Sequence, residues 1–70
     1  MIKMFEEMLE IFKIRVINIK DDEIAPEKYY KIDIQKYNSE CYVTYNVKKE
    51  TFNDRYKILD FVLFINKTLA

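Results

Sequence analysis

The chain has no glycine, no histidine and no tryptophan, and only one cysteine and one proline in 70 residues. Without histidine it lacks the side chain whose ordinary pKa lies nearest neutrality, the usual acid–base catalyst and metal ligand. Without glycine no phosphate-cradling loop of the P-loop or dinucleotide-binding kind can be assembled. The lone Cys41 cannot close an internal disulfide or supply a thiolate metal set, so nothing points to an oxidising compartment. Long apolar runs are missing too: the longest, Phe61 to Ile65, falls far short of the ~20 residues of a membrane span. Glu6, Glu7 and Glu10 interrupt the first apolar stretch, so no signal peptide is expected. These absences predict no catalytic residues, no metal, no cofactor and no membrane partner, in a cytoplasmic protein that is not an enzyme.

What is present is apolar and aromatic. Half of the residues are hydrophobic and 16% are aromatic, enough to exclude disorder. The chain is expected to form one domain, residues 1–70, near the lower size limit for a self-sufficient core. A body that small cannot enclose so many large side chains, and extensive exposed apolar area marks a partner or self-association surface. Net charge is zero but uneven: residues 1–27 carry four bases against seven acids, residues 28–70 eight against five. The excess of Lys over Arg, with abundant Ile, Asn and Tyr, is what an AT-rich coding sequence produces, as in low-GC bacteria and their phages.

Hydrophobic spacing predicts an amphipathic helix over residues 2–13, with Met1, Met4, Phe5, Met8, Leu9, Ile11 and Phe12 on one side. From Ile14 to Lys20 a β-branched run reads as a strand. Ile14 and Val16 point one way and Ile17 and Ile19 the other, a conflict that a bulge or two-sided burial resolves. Asp21 to Lys28 reads as a loop around Pro26; its acidic triplet lacks the glycine and further carboxylates of a calcium loop.

Tyr29–Lys36 and Cys41–Lys48 read as a hairpin turning at Asn38 and Ser39. The register pairing Ile34 with Val43, Ile32 with Tyr45 and Tyr30 with Val47 puts apolar partners together on one face, and a one-residue slip would destroy the match. Thr51 offers a cap for a last helix from Phe52 to Leu69, with Asp54 at the capping-box position. That helix is expected to bury Phe52, Tyr56, Ile58, Leu59, Val62, Leu63, Ile65 and Leu69. The resulting architecture is α+β: a three-stranded antiparallel sheet with an N-terminal and a C-terminal helix packed on one face.

Candidate binding residues fall in two groups. Phe61 and Phe64 edge or enter the polar stripe of the last helix, while Tyr29, Tyr42 and Tyr37 point away from the core or sit at the turn, suiting them to a protein interface. Lys48, Lys49, Arg55 and Lys57 gather near the start of the last helix as a possible phosphate-binding patch, diluted by Glu50 and Asp54. Cys41 is expected to be a buried small hydrophobe beside Lys36 rather than a nucleophile, and Glu6 with Glu10 a solvated pair.

The α-β-β-β-α order, with Pro26 followed closely by Tyr29, resembles the double-stranded-RNA-binding domain. That family opens its last helix with a lysine-rich phosphate-binding stretch, where this chain has Asn53-Asp54-Arg55-Tyr56-Lys57. Size, composition, the acidic N-terminal part and the stretch from Tyr29 to Leu69 resemble small phage-encoded inhibitors, anti-CRISPR proteins among them. That resemblance implies a compact α/β domain without catalytic residues, which blocks a partner's surface. The expected function is therefore non-catalytic protein binding, with a homodimer through Phe61 and Phe64. The alternatives are a small nucleic-acid-binding domain and a structural homo-oligomerising subunit.

Overall fold

A computed structural model describes residues 1–69. Its elements run α1 (Ile2–Ile11), β1 (Ile14–Asp21), β2 (Tyr29–Lys36), β3 (Val43–Lys48), a 3₁₀ turn (Lys49–Asn53) and α2 (Arg55–Leu69). The sheet is antiparallel in the order β1-β2-β3, the α+β arrangement that the sequence pattern predicts.

α1 ends earlier than its apolar periodicity suggests. Phe12 leaves helical geometry and Lys13 takes φ 60°, in the left-handed region that glycine ordinarily fills at a helix C-terminus. With no glycine in the chain, a lysine holds that position. The Lys13 amide donates to the Glu10 carbonyl at 3.0 Å, while its own carbonyl accepts from the Tyr37 amide at 3.0 Å. The reversal thereby joins α1 directly to the sheet. Phe5 and Leu9 are fully buried, whereas Ile11, expected on the apolar face, is 75% exposed.

The conflict along β1 is resolved by a bulge. Val16 pairs with Ile34 but Asn18 pairs with Asp33, leaving Ile17 as the extra residue. Ile14, Val16 and Ile19 all then face the core, and Ile17 stays half-exposed. In the following loop Asp22 Oδ2 accepts from the amides of Ile24 and Ala25, both at 3.0 Å. That carboxylate is occupied in making a turn.

The hairpin register is the one that apolar pairing demands: Tyr30 opposite Val47, Ile32 opposite Tyr45 and Ile34 opposite Val43. β3, however, begins at Val43 rather than Cys41. The connection is closed by Ser39, whose Oγ accepts from the Cys41 amide at 3.1 Å and donates to the Cys41 carbonyl at 3.3 Å. Cys41 is therefore exposed and not the buried residue expected. Val43, though on the core side, lies at the sheet's end and is 41% exposed.

The entry to α2 also differs from expectation. Lys49 continues the ladder through its amide to the Lys28 carbonyl at 2.8 Å, and the 3₁₀ turn carries Phe52 into the core. There it meets Phe5 and Tyr30 edge-on, at centroid distances of 5.2 and 5.6 Å. The helix then starts three residues late, and Asp54 instead of Thr51 caps it. Asp54 Oδ1 accepts from the Tyr56 amide at 2.8 Å and its carbonyl from the Ile58 amide at 3.0 Å. Phe5, Leu9, Ile14, Ile32, Ile34, Val47, Phe52, Ile58, Val62 and Ile65 make up the core between the helices and one face of the sheet. The other face is open.

Candidate binding surfaces

α2 buries a narrower stripe than its composition suggests. Ile58, Val62 and Ile65 are fully buried, but Tyr56 is 72% exposed, Phe64 52%, Leu63 46% and Leu59 40%. Three of these, Tyr56, Leu59 and Leu63, were expected in the core. At about 100° per residue they fall within an arc of about 60° that borders the buried stripe on one side, while Phe64 lies about 80° beyond it, across the polar line of Asp60 and Lys67. A three-stranded sheet already sharing its face with α1 has no room for them. Lys57, Asp60 and Lys67 are exposed along the same surface.

Phe61 and Phe64 separate in role. Phe61 is half-buried and lies flat against Phe5, with centroids 5.5 Å apart and planes 7° from parallel; the Tyr45 ring meets it edge-on at 5.7 Å. It belongs to the aromatic lining of the core. Phe64 touches Tyr45 only at 6.2 Å, edge-on, and is left half in water. The Tyr45 hydroxyl stands 2.9 Å from Thr68 Oγ1, which fixes the ring both phenylalanines use.

The four cations expected to form one patch are split among three places. Lys48 projects from the open sheet face. Lys49 turns to Asp21, 2.7 Å away, with its ammonium 4.7 Å from the Tyr30 ring centroid. Arg55 and Lys57 are exposed on the first turn of α2. Lys48 ends β3 and Lys49 opens the 3₁₀ turn, where its ammonium is held by Asp21 and is not free to join Lys48.

The open sheet face draws in residues that are far apart in sequence. Alternation and register place Arg15, Asn18 and Lys20 of β1 there, with Tyr29, Lys31, Asp33 and Gln35 of β2 and Thr44, Asn46 and Lys48 of β3. Lys20 stands directly opposite Lys31, and Tyr29 opposite Lys48. At the other end the Arg15 guanidinium sits 4.7 Å from the Tyr37 ring centroid. Tyr42 precedes β3 and is 59% exposed. The one carboxylate on this face, Asp33, accepts a 2.6 Å hydrogen bond from Thr44 Oγ1. Among the described residues the ion pair formed is Lys49–Asp21, which leaves Arg15, Lys20, Lys31 and Lys48 without salt-bridge partners. An open cleft of about 400 Å³ adjoins the Tyr29 end, lined by Glu27, Lys28, Tyr29, Lys48, Lys49 and Glu50.

Glu6, Glu7 and Glu10 are all exposed on α1. Among the described residues no group of three His, Cys, Asp or Glu side chains is placed to hold a metal ion, and no helix is long and apolar enough to cross a membrane. The chain matches no family model, no curated protein and no solved structure.

Proposed function

We propose that this chain is a non-catalytic protein-binding domain that acts by covering a partner's surface with the outer face of α2. One observation carries the reading: Tyr56, Leu59, Leu63 and Phe64 keep about 40 to 70% of their surface exposed on a helix whose Ile58, Val62 and Ile65 already fill the core. Fully burying one such side chain is worth roughly 1.5–3 kcal/mol, about half of which the monomer leaves unrealised at each of the four positions. Anchors at i, i+3 and i+7 are the pattern of a helix laid into an apolar groove. A domain of this size and composition fits a stoichiometric inhibitor from a phage or mobile element, which needs a docking face and no active site. The test is crosslinking by a photoreactive residue at position 63, in cells of the native source, with position 7 on α1 as control. A discrete adduct from position 63 alone supports the reading; adducts from position 7 alone contradict it.

A homodimer through the same face is the second reading, favoured by its charges. An antiparallel pair of α2 helices sets Asp60 of one copy among the lysines, Lys57 and Lys67, that flank the stripe of the other, and a chain of zero net charge does not repel its copy. Phe61 no longer contributes, since it is packed against Phe5. Light scattering at tens of micromolar gives a dimer that Leu63→Glu dissociates; a wild-type monomer there removes this reading.

A further inference from the structure

We propose that the open face of the sheet, on the far side of the molecule from α2, binds single-stranded nucleic acid. The face carries Arg15, Lys20, Lys31 and Lys48 against Asp33 alone, a local charge of +3 in a chain whose net charge is zero. Folding concentrates cations here that the sequence disperses over more than thirty residues. The arrangement works against the fold, since Lys20 and Lys31 oppose each other directly across β1 and β2, and like charges so placed destabilise a sheet. The one carboxylate of the face, Asp33, stands a row away and forms an ion pair with neither lysine. A polyanion laid across the face relieves them.

The chemistry between the cations selects the kind of polyanion. Tyr29 lies beside Lys31 and Lys48, at the edge of a cleft where Lys28 and Lys49 balance Glu27 and Glu50, and Tyr37 lies under Arg15 at the other end. Aromatic rings interleaved with cations are the stacking platform and backbone track of single-strand binding. Asn18, Gln35 and Asn46 add amides able to donate to and accept from base edges. From Tyr29 to Gln35 the strand runs roughly 20 Å, room for a short run of nucleotides. The same face has no helix or projecting ribbon to enter a duplex groove, and paired bases offer no free ring for Tyr29. An acidic protein segment would satisfy the lysines but leave both tyrosines and all three amides unused.

The test is fluorescence anisotropy of the full chain with labelled oligothymidylate and oligouridylate of about 12 nucleotides, against a blunt duplex and polyglutamate of similar charge, at about 50 mM salt. Saturable binding to the single strands is expected, with log K falling against log salt by about 2 to 3, as three or four phosphate contacts produce. Lys31→Glu with Lys48→Glu lowers affinity at least tenfold, and Lys31→Gln with Lys48→Gln serves should the first pair disturb the circular dichroism spectrum. Tyr29→Leu lowers affinity about tenfold with the salt slope unchanged, because stacking is lost and charge is not. Lys3→Glu on α1 makes a charge change equal to that of either sheet lysine and leaves affinity within about twofold, since its effect on the sheet face is screened by solvent. Tighter binding of polyglutamate or duplex, no saturation by single strands, or equal loss from Lys3→Glu overturns the proposal.

Discussion

Phe61 lies flat on Phe5 with ring centroids 5.5 Å apart, while Phe64, three residues along the same helix, keeps half its surface in water. Two aromatic residues that look alike in sequence thus hold different positions in the energetics. Phe61→Ala removes a packed ring from the core lining and should cost about 3 kcal/mol. Phe64→Ala should cost less than about 1 kcal/mol, as a largely exposed side chain does. Equal shifts in urea midpoint would contradict the assignment.

The sheet's end is less tightly enclosed than its register implies. Ile32 is fully buried and Val43 is 41% exposed, though both face the helices. Ile32→Ala should destabilise by about 2–4 kcal/mol and Val43→Ala by about 1 kcal/mol or less. Chemical denaturation of the two variants distinguishes them, and a Val43→Ala loss matching that of Ile32→Ala would show the end of β3 to be covered.

Lys13 occupies the left-handed region at the α1–β1 junction. A side chain there costs about 1–2 kcal/mol, partly offset in a glycine variant by greater freedom of the unfolded chain. Lys13→Gly should therefore raise stability by about 0.5–1 kcal/mol. A loss of stability would mean that the lysine side chain holds the turn.

Asp54, not Thr51, caps α2. Asp54→Ala should cost about 1 kcal/mol and reduce the far-ultraviolet helical signal on mild heating. Thr51→Ala should cost a few tenths at most, as an uncapping position does. The reverse order would restore the longer helix.

The hairpin was legible because polar and apolar residues alternate along both strands, so that only one register places Ile32, Ile34, Tyr45 and Val47 together. The bulge was half legible, as a conflict among Ile14, Val16, Ile17 and Ile19. Cys41 was misplaced because alternation runs on past the point where the strands stop pairing, and only the Ser39 turn ends it. Thr51 and Asp54 are both good caps, and the choice depends on bringing Phe52 to Phe5, a long-range contact. Periodicity assigns Tyr56, Leu59 and Leu63 to the core because apolar residues left exposed on a helix can repeat with the same spacing as those packed into the fold. The cationic sheet face was illegible for a related reason: Arg15, Lys20, Lys31 and Lys48 meet only through strand pairing.

Docking through α2 is read out by calorimetric titration of the purified partner captured through position 63. Wild-type chain should saturate at a fixed stoichiometry, Leu63→Glu with Tyr56→Glu should weaken binding at least a hundredfold, as loss of buried interface anchors does, and Glu7→Lys on α1 should leave it unchanged. Undiminished affinity in the double variant, with its circular dichroism spectrum intact, would contradict the account.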